Sequence, residues 1–310
     1  MILITGASGF IGTSLTRHFH RSGHTLRLTT RDPSALPADY GDVVATPAPE
    51  DGPQGWEPLL AGVQHVVHCA GIAHTGGVAK EAYRSAIVDL TTALAQACAT
   101  NVQGKLVFLS SIRAVTGPVS DHIIGNETSP RPIDEYGRAK LDAEHAIAAI
   151  YGEERRYTIL RPTLVYGEGA RGNLASLLAL ARLPLPLPLG GLKAKRSLLD
   201  IDACARAIEH SLDASQTDGA TYVVSDAAPM STADIVTAFR RGLGRSPGLF
   251  ALPAPLLAAG LKTAGLGAIW SRLSGSLVAD PSALTATGWL PVEDSRPGLE
   301  RIARNAAAQG

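Results

Sequence analysis

The 310-residue chain carries 28 Lys plus Arg against 28 Asp plus Glu, and 45% of it is hydrophobic. It is long enough for one large domain with a smaller partner, and its balanced charge disfavours a nucleic-acid backbone or an acidic membrane surface as the main ligand. Cys69, Cys98 and Cys204 are odd in number and scattered, and the nine His include no HExxH pair, so a reducing compartment and no metal centre are expected.

Met1-Ile2-Leu3-Ile4 is an apolar run that feeds into Thr5-Gly6-Ala7-Ser8-Gly9-Phe10-Ile11-Gly12 and then into an amphipathic stretch from Thr13 to Arg21. The order is strand, glycine turn, helix. Gly6, Gly9 and Gly12, spaced by three, let the backbone turn tightly and approach a pyrophosphate, while the N–H groups of the helix start face its negative charge. A dinucleotide is the expected ligand. No cationic leader precedes this strand, so no secretory signal and a cytoplasmic location are expected.

A second strand, Thr25 to Thr29, completes a βαβ unit and ends at Thr30-Arg31-Asp32-Pro33. An acidic side chain at this strand end would grip a ribose 2′-hydroxyl, whereas an Arg accommodates a 2′-phosphate. Thr30 takes the acidic position and Arg31 follows, which favours NADP; Asp32, one step later, keeps NAD open.

Residues 33–62, rich in Pro, Gly, Asp and Ala, read as a loop with a short strand near Val43-Val44. Gln64 to Gly71 is a buried strand whose small end, Ala70-Gly71, lets a backbone lie against a cofactor. A helical pattern from Ala79 to Thr100 precedes a further strand, Lys105 to Ser111. The alternation predicts an α/β fold, a Rossmann-type doubly wound parallel sheet with a smaller C-terminal substrate domain.

After a loop from Ile112 to Asp134, Glu135-Tyr136-Gly137-Arg138-Ala139-Lys140 opens a helix that places Tyr136 and Lys140 on one face. The strand Thr158 to Pro162 follows. A phenol is inert at neutral pH unless its anion is stabilised, which an ammonium and an oxidised nicotinamide can do. Tyr136 is therefore the expected acid–base, Lys140 its electrostatic partner, and Ser111, at the end of the preceding strand, a hydrogen-bond partner for the same substrate oxygen.

Beyond Tyr166 the pattern changes. A helix from Asn173 to Arg182 gives way to Leu183-Pro184-Leu185-Pro186-Leu187-Pro188-Leu189, which imposes an extended path. Strand-like pieces near Ser197 to Ile201 and Tyr222 to Val224 alternate with helices at Asp202 to Leu212 and Thr232 to Leu243, and a charged helix begins at Asp294. The expected division is a dinucleotide-binding domain at 1–166 and a mainly substrate-binding domain at 167–310, with about 197–225 returning to the first. Phe250 to Trp270 is apolar, but Pro and Gly interrupt it, so no spanning helix is expected; a substrate-domain helix or lid is the plainer reading and interfacial membrane docking the other.

TGASGFIG, the HCAG strand end, Ser110-Ser111, YGRAK, RPTLVYG and the closing GWLP resemble the extended short-chain dehydrogenase/reductases, the NAD-dependent epimerase/dehydratase family. The resemblance covers nearly the whole chain. It implies Ser111, Tyr136 and Lys140 as catalytic and Gly6, Ser8, Gly9, Phe10, Ile11 and Gly12 as the pyrophosphate cradle. It further implies Ala70, Gly71 and Pro162 to Leu164 lining the cofactor, Asn173 and Arg196 holding a nucleoside-diphosphate sugar, and a homodimer through the helices at Ala79 and Tyr136. A guanidinium fork suits a diphosphate.

Departures narrow the reaction. The family's 4,6-dehydratases carry Asp-Glu after the catalytic hydroxyl, whereas Ile112-Arg113 follows Ser111 here, which argues against dehydration. Ile87 stands where the family usually places Asn, and the acidic residue that the family carries after the third strand, near the adenine, is not evident around Thr46. Two enzymatic readings remain, a nucleotide-sugar 4-epimerase and an NADPH-dependent 4-keto-sugar reductase, with a dinucleotide-sensing regulatory protein as the non-enzymatic alternative.

Overall fold

The computed structural model describes residues 1–73, 77–170, 172–263, 270 and 273–308. Eleven strands occur among them: β1 (Ile2–Thr5), β2 (Leu26–Thr30), β3 (Asp42–Ala45), β4 (His65–His68), β5 (Leu106–Leu109), β6 (Tyr157–Pro162), β7 (Leu164–Tyr166), β8 (Lys195–Arg196), β9 (Leu198–Asp200), β10 (Ala220–Val224) and β11 (Met230–Ser231). Seven form one parallel sheet in the order β10-β6-β5-β4-β1-β2-β3. The order reverses between β1 and β4, where Ile2 lies opposite both Leu26 and His65. A ligand site is expected at the carboxyl ends of the strands flanking such a reversal. This is a Rossmann-type fold.

Strands buried on both sides need helices on both faces. On one face lie α1 (Phe10–Arg21) and α7 (Ile201–Asp213), which contribute Leu15, Phe19, Ala207 and Ile208 to a core shared with Ile4 and Leu28. On the other lie α2 (Gly52–Leu60), α3 (Lys80–Tyr83), α4 (Leu90–Asn101) and α5 (Glu135–Tyr151), which bury Trp56, Leu94 and Ile147 against Leu3 and Phe108.

Two details depart from expectation. The stretch read as loop contains α2, whose Gly52, Pro53, Gly55 and Pro58 hide a helix that full burial of Trp56 stabilises. The helix expected from Ala79 runs instead as α3, a π-helical segment Arg84–Asp89, and α4, and the π segment turns fully buried Ile87 toward Gly71.

A smaller lobe collects α6 (Asn173–Ala181), α8 (Thr232–Gly242), α9 (Ala254–Thr263) and helix Arg296–Ala308 around Leu187, Leu189, Phe239 and Leu299. The part of Phe250 to Trp270 at 264–269 lies outside the described residues. No helix among the described residues is long and apolar enough to cross a membrane.

Candidate active site

Thr5 and His68 close the two strands at the reversal, and the Thr5 hydroxyl meets His68 Nδ1 at 2.6 Å. His68 Nε2 meets the Thr91 hydroxyl at 2.9 Å, and Ala70 N–H donates to Thr5 Oγ1 at 3.2 Å. The ring is fully buried, and burial, aided by the Lys140 charge, pulls its pKa down to about 3, so it is neutral. This cluster fixes where the two backbones turn.

Gly6 follows at φ +67°, and a Cβ there would stand 2.7 Å from Ala70 N, so the turn lies directly on the β4 end. A Cβ on Gly12 would stand 2.1 Å from Gly6 O, which shows how closely α1 approaches its own turn. Ser8, Gly9, Phe10 and Ile11 remain exposed or half-buried between these contacts. The arrangement suits a dinucleotide: a glycine turn aims the start of α1 outward, and Gly71, exposed at the end of β4, offers a backbone without a side chain. Pro162 ends β6 opposite Val224, with half-buried Leu164 just beyond.

At the end of β2, the Thr30 and Ser8 hydroxyls meet at 2.6 Å. Asp32 turns to its own 3-10 turn, accepting from Ser34 N at 3.0 Å and from the Ser34 hydroxyl at 2.6 Å. Arg31 is exposed, with no hydrogen bond or ion pair among the described residues.

The C-terminal end of β5 leads into Ser110-Ser111. Ser111 caps the short 3-10 turn Ile112–Ala114, accepting from Arg113 N at 3.2 Å, and its hydroxyl acts on Tyr136, favouring the phenolate. The loop reaches the helix because position 137 is glycine: a Cβ there would stand 2.2 Å from the Arg113 carbonyl oxygen. The Arg113 guanidinium pairs with Asp134, whose other oxygen accepts from Gly137 N at 2.8 Å and caps α5. The Tyr83 ring meets that of Tyr136 edge-on at 5.9 Å.

Burial raises the Tyr136 pKa, opposed by the Ser111 hydrogen bond and then by the Arg113 charge. Burial likewise lowers Lys140, to about 8, opposed by Cys69 and Glu144. The Lys140 ammonium donates to Leu109 O at 2.8 Å and lies 4.6 Å from the centroid of the Phe108 ring. One turn further along α5, Glu144 accepts from Ser110 and forms a two-pronged pair with Arg161 of β6, 2.6 Å at Nη2. This buried pair ties α5, β5 and β6 together beneath Ser111.

Arg196 is half-buried and donates to Pro118 O at 3.1 Å, in the loop that follows Ser111. Burial and the neighbouring charge of Arg113 both lower its pKa. Arg113 thus acts electrostatically on Tyr136 and on Arg196. Asn173 is exposed in the first turn of α6 and its side chain makes no hydrogen bond among the described residues. Arg113, Asp134 and Tyr83 carry no motif that marks them in the sequence beyond a cation two positions after Ser111.

The model of the NAD-dependent epimerase/dehydratase family matches residues 2–225, which span the glycine turn, Ser111, Tyr136, Lys140 and Arg196. The chain belongs to that family. This epimerase/dehydratase-family protein is 30% identical to a UDP-glucose 4-epimerase of Vibrio cholerae, over 98% of its own length and 94% of the relative's. In fold it is similar to the UDP-N-acetylglucosamine 4-epimerase of Bacillus cereus, with TM-score 0.76, 20% identity and 97% of each chain covered. It is likewise similar to the UDP-glucuronic acid 4-epimerase of Bacillus cereus in complex with NAD, with TM-score 0.76, 19% identity, 97% of this chain and 94% of that one.

Proposed function

We propose that this family member is an NAD(P)-dependent nucleotide-sugar 4-epimerase in which Ser111 and Tyr136 act on the sugar 4-oxygen. The observation that carries this reading is the placing of the Ser111 loop, at the end of β5, against the start of α5. There Gly137 packs on the Arg113 carbonyl and Arg113 pairs with Asp134, so that Ser111 acts on Tyr136, which shares its helix with Lys140. The UDP-sugar 4-epimerases among its relatives support the substrate class. The reaction falls at the join of the two domains we propose, 1–166 and 167–310.

The Gly6 to Gly12 turn, Ala70-Gly71 and Pro162 to Leu164 would hold the dinucleotide. When bound, its nicotinamide supplies the hydride acceptor and donor for the sugar C4. Tyr136 takes the proton of the 4-hydroxyl as the carbonyl forms and returns it when the alcohol re-forms. The Ser111 hydroxyl holds the same oxygen in both states. Burial works against the phenolate, while the Ser111 hydroxyl and then the Arg113 charge favour it, and Lys140, with a pKa of about 8, remains mostly protonated at neutral pH. Arg196 is the diphosphate ligand in this reading. Ile112-Arg113 offers no acid–base pair beside Ser111, so elimination of water is not part of the reaction.

A second reading, an NADPH-dependent 4-keto-sugar reductase, is favoured by one observation. Arg31 is unpaired at the end of β2, while Asp32 is engaged with Ser34. The test is the cofactor released from the purified protein, together with titration of NADH and NADPH. Tightly held NAD without net redox change supports the epimerase; free exchange with a strong NADPH preference, lost in Arg31→Ala, replaces it with the reductase.

A further inference from the structure

The neutral total charge conceals a segregation. Residues 169–199 and 235–279 carry five Lys or Arg each and not one Asp or Glu. These two segments build one lobe. Arg240 of α8 donates to Leu183 O at 3.1 Å, Leu185 O at 2.6 Å and Pro247 O at 2.9 Å, and Phe250 N donates to Leu187 O at 3.0 Å. The Leu-Pro run is thereby fastened to the chain that leads into α9.

Apolar side chains stand out from the same segments. Leu187 and Leu189 turn into the lobe's core, whereas Leu183, Leu185, Phe250 and Leu256 are 44%, 64%, 48% and 60% exposed. The Leu-Pro run, expected to be extended, instead bends at Pro184-Leu185 and turns from Pro188; Pro184 and Pro186 still fix φ on either side of Leu185, so little chain entropy remains to be lost when the leucines are covered. On the same segments Arg241 and Lys262 are exposed, with no carboxylate in ion-pair distance among the described residues, and Arg245 spends one donor on Arg182 O.

Exposed apolar side chains and exposed, unpaired cations carried by the same acid-free segments satisfy the two requirements for binding an anionic bilayer: insertion into the headgroup region and attraction to lipid phosphate. A second copy of the chain fits less well, because a self-complementary contact would set cations against cations. We propose that this end of the smaller lobe docks on an anionic lipid surface, with Leu185, Phe250 and Leu256 entering the headgroup layer and Arg241, Arg245 and Lys262 meeting the phosphates. Docking does not depend on the reaction proposed above.

The test is flotation of the full-length protein with vesicles of phosphatidylcholine alone or mixed equally with phosphatidylglycerol. The protein floats with the mixed vesicles at low salt, at least about tenfold more weakly with phosphatidylcholine, and is released by added salt. Leu185→Ser with Phe250→Ser, and separately Arg241→Gln with Lys262→Gln, each lower binding about tenfold or more while circular dichroism stays unchanged. Tyr136→Phe floats like the native protein, whatever its turnover. Equal binding to both vesicle types, no binding to the mixed vesicles, or folded variants that bind like the native protein would overturn the proposal. So would a native dimer that Phe250→Ser dissociates, without flotation, since that assigns the face to a second copy.

Discussion

Arg113 is ion-paired with Asp134, the residue whose carboxylate caps the helix that carries Tyr136, across 21 positions of chain. The same guanidinium lowers the Tyr136 pKa and the pKa of Arg196. One side chain therefore fastens the Ser111 loop to α5 and sets the field at the phenol.

Arg113→Ala is expected to raise the Tyr136 pKa, because the charge that favours the phenolate is gone. The rising limb of kcat against pH then moves up by about one unit, and kcat at pH 7 falls about tenfold. Arg113→Lys keeps the charge and returns the limb toward its native position. A pH profile unmoved in Arg113→Ala removes this residue from the electrostatics of the site.

Gly137→Ala places a methyl group against the Arg113 carbonyl, which is backbone and has no rotamer in which to withdraw. The Ser111 loop must shift from Tyr136. Turnover is expected to fall about a hundredfold or more, with dinucleotide affinity within about twofold of native in a fluorescence titration. Equal losses in both would mean that the substitution damages the whole sheet end.

Glu144 and Arg161 are both buried, so Glu144→Ala strands a guanidinium beneath the site. The expected cost is about 3–5 kcal/mol in urea unfolding, and Glu144→Leu combined with Arg161→Met regains much of it. If the double variant is no more stable than the single, the cost comes from packing and not from the unpaired charge.

The neutral, buried His68 gives a signed pH dependence. Its pKa is 6.5 in the unfolded chain and about 3 in the fold, so below pH 6.5 the unfolded state binds a proton that the native state refuses. Its contribution is fully present above 6.5 and is lost as the pH falls toward 3, by roughly 1.4 kcal/mol per unit. Buried Asp226, raised from 3.8 to about 6, works the other way between those values. The slope is therefore read as the difference between native protein and His68→Gln, and identical slopes would place a charged imidazole in the fold.

Local patterns made much of this legible. The glycine turn, the buried strands and the Tyr136–Lys140 spacing each depend on residues a few positions apart, and each is where the sequence puts it. Trp56 needed the tertiary core, since Gly and Pro around it conceal α2 until the sheet is there to bury it. Asp32, which keeps NAD open in the sequence, has its Oδ1 engaged by Ser34 two positions on, a local turn that strand periodicity does not signal. The Arg113–Asp134 pair joins the two ends of an irregular loop, a contact that no periodicity encodes.

The central claim is tested most directly by proton NMR of UDP-glucose and UDP-N-acetylglucosamine incubated with the purified protein and NAD. The account predicts appearance of the C4 epimer without accumulation of reduced cofactor, and a loss of about a hundredfold or more in Tyr136→Phe with the dinucleotide still bound. Epimerisation that proceeds unchanged in Tyr136→Phe, or no conversion of either sugar by the native protein, would contradict it.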